Sequence, residues 1–402
     1  MKPSRHVRPD QALGMEIQSR DKDILLSLYL HRYLSAEHVR QLHFRTAGLR
    51  AVQARLRKLW ANHYLDRHFR PLSFTESEEA RRRAKMPLYC LARRGAEVVA
   101  SEMHIPIQDI QHTLAQNVNG FSNLEHNLVA TDLLVALQAA CHERQDVQVT
   151  VVERESALRR QNYMAWSSRI WTGESLTSDG SFTLGFPCLG TAWTFHIEVV
   201  RALVKAGNKT LKDKMRKYAR LVRQGFFEQV LGHKVVRAVL FVTTSEARAL
   251  RFCRLASGLA HGRGLFWFTT YQRKDASGRV VSAFSPATIL SLPWHGADGL
   301  LHSFIQPVLA ADSPKERNTE QDNQHPTHVC AELMRPAQAQ DLGGAGHHRS
   351  SQFPEKEGPI RASARRSAQA SMDTRQDRVR EINIACESTR PGPGERTGLR
   401  SS

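Results

Sequence analysis

The chain has 402 residues, room for two or three domains at the usual one per about 150 residues, and 41% of them are hydrophobic, which excludes disorder throughout. Lys and Arg number 57 against 39 Asp and Glu, a formal charge of +18. That excludes an acidic solvating protein and points to a polyanionic partner, because each cation near a phosphate releases a condensed counterion; nucleic acid leads, and an anionic membrane is the lesser candidate.

Residues 1–19 read as a flexible, basic N-terminus without an apolar signal core. A first helix is expected over Asp21 to Arg32, with Ile24, Leu25 and Leu28 on one face, and Ser35 is placed to cap a second helix carrying Val39 and Leu42. A third helix, about Ala47 to Asn62, sets Leu49, Val52, Leu56 and Leu59 on one stripe. At about 100° per residue Arg50, Ala54, Arg57 and Lys58 fall on the other side. Two short strands follow, Tyr64 to Phe69 and Pro87 to Leu91, joined by a loop holding Arg81, Arg82, Arg83 and Lys85. Residues 40–94 contain fourteen Lys or Arg against four Asp or Glu, more than half the net charge. Three helices followed by a basic hairpin is the order of a winged helix-turn-helix, in which the third helix enters the major groove and the wing lies along the phosphates. Residues 20–105 are therefore expected to bind double-stranded DNA, with Arg50, Gln53, Arg57, Lys58, Arg81, Arg82, Arg83 and Lys85 as contacts. The competing expectation is a three-helix bundle with a solvated charged face.

From about Asn123 the pattern alternates: a helix with His126, Val129, Leu133, Val135 and Leu137, then strands at Val147–Val152, Ser181–Gly185 and Trp193–Val200. A basic helix, Asn208 to Gln224, has Leu211, Met215, Tyr218, Leu221 and Val222 as its apolar side. A buried-type strand at Val235–Thr243, a helix from Ser245 to about Ala260 and a strand at Leu265–Thr269 complete an α/β sheet over 120–310 with helices on its faces. Fourteen Lys or Arg against three Asp or Glu lie between Arg201 and Arg254. Trp166, Trp171 and Trp193 read as core or loop anchors, with base stacking as their other use.

This order matches the core of restriction-endonuclease-like, PD-(D/E)xK nucleases, which hold a divalent ion with carboxylates and place a lysine near the attacking water. Asp179 at the beginning of the second strand and Glu198 late in the third are the candidate catalytic and metal-ligating pair, with Glu125 or Glu153 as a further carboxylate. Two departures stand against them. Ser178 replaces the proline before Asp179, and Val200 stands where the lysine is expected, leaving Arg201, Lys205, Lys212 or Lys214 as substitutes. The alternative is a sheet-end Asp179 and a Glu198 ion-paired with the basic helix.

With both halves in view, the chain resembles the replication-relaxation family of plasmids and integrated mobile elements. The resemblance is carried by "DKDILLSLYLHRYLSAEHVRQLHF", "VQARLRKLWANHYLDR", "PLYCLARRGAEVV", "EHNLVATDLLVAL", "SDGSFTLG", "FHIEVVRA" and "KMRKYARLV", from about residue 20 to 310. It implies a winged helix fused to a nuclease-like domain, a role in replication, DNA relaxation or mobilisation, and Asp179 and Glu198 at the family's two acidic strand positions. Val200 stands where members of the family often carry an acid.

The expected fold is thus α+β or α/β, a winged helix followed by a degenerate restriction-endonuclease-like domain. The expected function is DNA binding with no cofactor; the alternatives are a Mg-dependent endonuclease and an adaptor to replication or conjugation proteins. No His-x-His pair beside a tyrosine, phosphate loop, HExxH or GxSxG supports strand transfer, ATPase or common hydrolase chemistry. From Ser313 only eleven of ninety residues are large and apolar, so 313–402 read as a disordered tail, for which a frameshifted end is the other explanation. Six widely spaced cysteines without a CxxC pair read as reduced thiols. With no spanning segment, the expectation is a cytoplasmic protein, with a homodimer as one expected assembly although no heptad run makes a dimer explicit.

Overall fold

The computed structural model describes residues 8–9, 14–69, 86–113, 124–142, 144–171, 173–201, 208–233, 235–274 and 280–305. Most of the N-terminus read as flexible, Arg81, Arg82, Arg83 and Lys85 of the loop read as a wing, and the tail read as disordered lie outside the described residues.

Helix α1 (Ser19–His31) starts where the Asp21 carboxylate accepts the Gln18 N–H at 2.9 Å, occupying a donor that no helical carbonyl reaches. It buries Ile24, Leu25 and Leu28. Strand β1 (Leu34–Ser35) leads into α2 (Ala36–His43), whose first turn is capped by Ser35 Oγ accepting from the His38 N–H at 3.1 Å. Helix α3 (Leu49–Ala61) buries Val52, Leu56 and Leu59, three of the four residues of its expected stripe. Strands β2 (Leu65–His68) and β3 (Leu88–Leu91) pair antiparallel, and β1 joins the other edge of β3, giving the order β1-β3-β2.

Helix α4 (Arg93–Met103) closes this unit against α1. It runs so near the chain at Tyr64 that a Cβ on Gly95 would lie 2.1 Å from the Tyr64 carbonyl oxygen. Alanine at a helical glycine ordinarily gains about 1 kcal/mol. Here the obstacle is backbone, and Gly95→Ala is expected to lose about 2–3 kcal/mol by overpacking. A urea midpoint at or above that of the parent protein would contradict this.

The second unit opens with α5 (Leu124–Cys141), followed by β4 (Gln148–Arg154), α6 (Glu155–Ser167), β5 (Gly180–Phe186), β6 (Thr191–Val200), α7 (Asn208–Arg223) and α8 (Phe226–Leu231). Then come β7 (Val235–Thr243), α9 (Glu246–Ser257), β8 (Phe266–Thr270), the hairpin β9 (Gln272–Lys274) and β10 (Val280–Ser282), and β11 (Trp294–Gly296) with β12 (Leu301–His302). Seven strands form one sheet in the order β12-β11-β8-β7-β6-β5-β4. β6, β7 and β8 run parallel and the other neighbours antiparallel, so the protein is mixed α+β with a mixed sheet.

Alternation along the central strands divides two cores. On β7, Ala238, Leu240 and Val242 face α5, while Val239 and Phe241 face the layer of α6, α7, α8 and α9. Helix α5 is apolar nearly all round because it serves two neighbours: most of its buried residues lie on the sheet, but Val135 joins the core of the N-terminal unit, and Leu124 and Leu128 pack with Tyr33, Leu88 and Cys90. Among the described residues, no helix is long and apolar enough to cross a membrane.

The seam between the units also holds polar groups. His31 Nε2 lies 2.7 Å from Gln138 Oε1, His38 Nε2 lies 2.9 Å from Asp132 Oδ1, and the Arg154 guanidinium donates to the Tyr29 carbonyl. Burial pulls the His31 imidazole down to about 3, so the folded protein keeps it neutral where an unfolded chain, at 6.5, takes up a proton. Stability contributed by this group is complete above pH 6.5 and is lost as the pH falls toward 3, by about 1.4 kcal/mol per pH unit. His31→Gln should remove that slope from unfolding curves; an identical acid slope in the variant would exclude His31 as its source.

Several elements went unanticipated. β1, β11 and β12 are two or three residues long, too short to show a period. Helix α6 buries only Leu158, Asn162 and Ala165, a narrow stripe that includes a polar residue.

Candidate functional site

Two groups of residues were expected to carry function, one on α3 and one at the end of the sheet. On α3, Arg50, Arg57 and Lys58 are exposed and Gln53 is half-buried, opposite the stripe of Val52, Leu56 and Leu59. Among the described residues none of these three cations has an acidic partner. Arg55, between them in sequence, is different: its Nε donates to Asp21 Oδ1 at 2.7 Å, Asp21 is buried, and the pair ties α3 to α1. Arg67 on β2 stacks over the Trp60 ring at 3.4 Å, extending the cationic surface from α3 to the hairpin.

The acidic pair comes together where β5 begins and the antiparallel β6 ends. Phe195, Ile197 and Val199 of β6 face α5, so strand alternation turns His196 and Glu198 toward α7. On α7, Lys214 and Tyr218 are one helical turn apart and reach the same carboxylate: Lys214 Nζ donates to Glu198 Oε2 and the Tyr218 hydroxyl to Oε1. Glu198 is 2% exposed. Burial, and after it the neighbouring charge of Asp179, pushes its carboxyl up to about 7 against the opposing pull of Lys214 and Tyr218.

Asp179 stands just ahead of β5 and bonds to β6: its N–H donates to the Ile197 carbonyl at 3.0 Å and its Oδ2 accepts the Val199 N–H at 2.7 Å. Its Oδ1 lies 2.9 Å from His126 Nε2 on α5. Burial works against a charged His126 imidazole, but the hydrogen bond and charge of Asp179, with Glu198 and Glu155 behind it, raise it above its ordinary value.

The other proposed carboxylates are engaged elsewhere. Glu125 pairs with Arg201. Glu153 accepts from Ser181 Oγ at 2.9 Å and Gln161 Nε2 at 2.8 Å and lies 2.6 Å from His233 Nε2; it falls below the usual carboxylate range because that histidine and these donors outweigh burial.

Of the substitutes for Val200 that lie among the described residues, Arg201, Lys212 and Lys214, it is Lys214 that meets Glu198, and Lys205 lies outside them. Asp179, Glu198 and Lys214 are therefore adjacent. A divalent ion needs ionised oxygen ligands. One carboxylate here is held by an ammonium and a phenol and retains its proton up to about pH 7; the other accepts from a backbone amide and sits against an imidazole. No three His, Cys, Asp or Glu side chains among the described residues are grouped as metal ligands. The residues do not fit a resident magnesium ion.

Reading α7 as an amphipathic helix assigned Tyr218 to the apolar side and left its hydroxyl without a role. The spacing of Lys214 and Tyr218 was the available signal. The tryptophans divide: Trp171 packs edge-on against Phe226 and Trp193 against Phe186, as anchors do, but Trp166 is 65% exposed. It lies outside the buried stripe of α6, so the anchor reading is corrected there.

No curated protein and no solved structure matches this chain. The model of the replication-relaxation family matches residues 25–236, spanning the three-helix unit, α5, the acidic pair and the basic helix α7. With more than half of its length matched, the chain belongs to the replication-relaxation family.

Proposed function

We propose that this protein binds duplex DNA of a plasmid or integrated mobile element through its N-terminal unit, read as a winged helix, and acts in replication, relaxation or mobilisation. The observation that carries the reading is the outward face of α3: Arg50, Arg57 and Lys58 are exposed, without acidic partners among the described residues, on a helix whose opposite stripe is locked into the core. Order supports it too, since helix, short strand, two helices and an antiparallel strand pair follow one another as in winged helices. The far side of the unit is occupied, α2 packing on α5. Arg81, Arg82, Arg83 and Lys85, on the connection between β2 and β3, are proposed as wing contacts to the backbone.

The test is duplex affinity and its salt dependence after joint removal of the Arg50, Arg57 and Lys58 charges. Unchanged values would end the recognition-helix role. The sheet unit is read as a degenerate nuclease-like domain that adds a second surface for DNA or for replication or conjugation proteins. Metal-dependent nicking by Asp179 and Glu198 is the weaker reading, favoured by Lys214 beside them and opposed by their commitment to protein donors. Magnesium- or manganese-dependent cleavage abolished by Asp179→Ala would reverse that order.

A further inference from the structure

Helix α6 presents two large aromatic rings to water. Tyr163 is 67% and Trp166 65% exposed, their centroids 6.4 Å apart and their planes tilted by 42°. The rings are not stacked on one another, so mutual packing does not consume their faces. Isolated exposed apolar residues need no explanation, but an adjacent aromatic pair on a rigid element does.

The element is rigid. Leu158 and Ala165 sink into the core beneath it, and Asn162 Nδ2 donates to Thr177 Oγ1 at 2.9 Å and to the Leu176 carbonyl at 3.2 Å, tying α6 to the segment that leads to Asp179. At its end the Ile170 N–H donates to the Ala165 carbonyl at 2.9 Å and the Arg169 N–H to the Trp166 carbonyl at 3.1 Å, the two bonds of a Schellman stop. The left-handed position of that stop, φ 57°, is filled by Arg169 where glycine carries no penalty. The Arg169 side chain is exposed just beyond Trp166.

The surroundings are cationic. Leu158 and Ala165 share their core with Met215, Tyr218 and Leu221 of α7, so α6 lies in the same helical layer as α7. Helix α7 carries seven Lys or Arg against one Asp; Lys214, Arg216, Lys217 and Arg220 pair with Glu198, Asp213 and Glu174, while Lys209, Lys212 and Arg223 have no acidic partner among the described residues. A rigid aromatic pair within a positive layer suits a flexible polyanion whose bases are free to stack. A duplex hides its base faces in its own stack, and a second copy of this chain would bring two like-charged layers together.

We propose that the outer face of α6 is a binding site for single-stranded DNA, on which Tyr163 and Trp166 stack against unpaired bases while Arg169 and α7 attract the phosphates. This surface is independent of the α3 face, and it gives the chain separate grips on paired and unpaired DNA.

The experiment titrates the full-length protein with a labelled thymidine homo-oligonucleotide at physiological salt and follows fluorescence anisotropy. Each lost stacking contact weakens binding by about tenfold, so Tyr163→Ala with Trp166→Ala is expected to weaken it about a hundredfold. Trp166→Phe should recover most of that loss, because the requirement is a ring face. Both side chains are exposed, so folding should survive, as circular dichroism would register. The Arg50, Arg57 and Lys58 variant should bind the homo-oligonucleotide like the parent, while the ring variant should keep its duplex affinity; failure of the α3 reading is thereby distinguishable. The proposal is overturned if the parent protein ignores the oligonucleotide, if the ring variant binds it equally well, or if the ring substitutions only dissociate a dimer without changing strand affinity.

Discussion

Alanine at Arg50, Arg57 and Lys58 together is expected to weaken duplex binding about a hundredfold near physiological salt and to lower the slope of log affinity against log salt by about 2.7, since each phosphate contact contributes about 0.9. The slope is the sharper readout. A general loss of affinity could follow from misfolding, but a slope reduced in proportion to the charges removed identifies those charges as the ones that displaced counterions. Folding should be unaffected, because the substituted side chains are exposed, the buried stripe of α3 is untouched and alanine has the best intrinsic helix propensity. Arg55 supplies an internal contrast. Its guanidinium is bound to the buried Asp21 carboxylate, so Arg55→Ala leaves a buried charge without its partner and should cost stability, on the order of 3 kcal/mol. If the triple variant binds DNA with the parent's affinity and slope, the exposed face of α3 is a solvated surface and the N-terminal unit has another role.

Replacing Glu198 by glutamine is expected to flatten the pH dependence of stability between 4.5 and about 7. The folded protein holds the Glu198 proton up to about 7, whereas the unfolded chain releases it near 4.5. For a carboxyl raised in this way the favourable contribution is complete below 4.5 and is lost as the pH rises through 7. The window corresponds to about 3 kcal/mol at its upper end. Glutamine cannot ionise and retains an acceptor for Tyr218, and Lys214, half-buried, still reaches water. The variant should therefore gain on the parent as the pH rises from 4.5 to about 7, hold that gain above 7 and match the parent near pH 4. His126, raised by Asp179, contributes in the same direction, its stabilisation being lost as the pH climbs through its folded value. His31 works in the opposite sense, so each group must be read from the difference between its own variant and the parent.

The same experiment examines the donor set of the site. Were the two carboxylates free to take a divalent ion, millimolar magnesium would raise the unfolding temperature of the parent protein and leave Glu198→Gln unmoved. The arrangement with Lys214, Tyr218 and His126 predicts no such difference. A magnesium effect confined to the parent would show that the ion displaces these partners, and the nuclease reading would regain its footing.

Much of the architecture was legible in the residues alone, because burial imposes a period. The stripe of Val52, Leu56 and Leu59 marked both the span and the inner face of α3, Ser35 marked the start of α2, and the apolar run Ala238–Val242 within Val235–Thr243 marked a strand covered on both sides. The concentration of charge in residues 40–94 was likewise a property of the chain itself. A period states which side of an element is covered; it does not state what covers it. Arg55 and Arg57 are equivalent by composition, and only the approach of α1 makes the first a partner of Asp21 while the second stays in water. Glu198 stood open between a metal ligand and an ion pair with the basic helix, and the crossing of α7 over β6 set Lys214 and Tyr218 on its two oxygens. Trp166 read as a core or loop anchor until α6 turned it outward. In each case the deciding contact joins residues far apart in the chain, and its free energy depends on desolvation and distance, which exist only once the elements have packed.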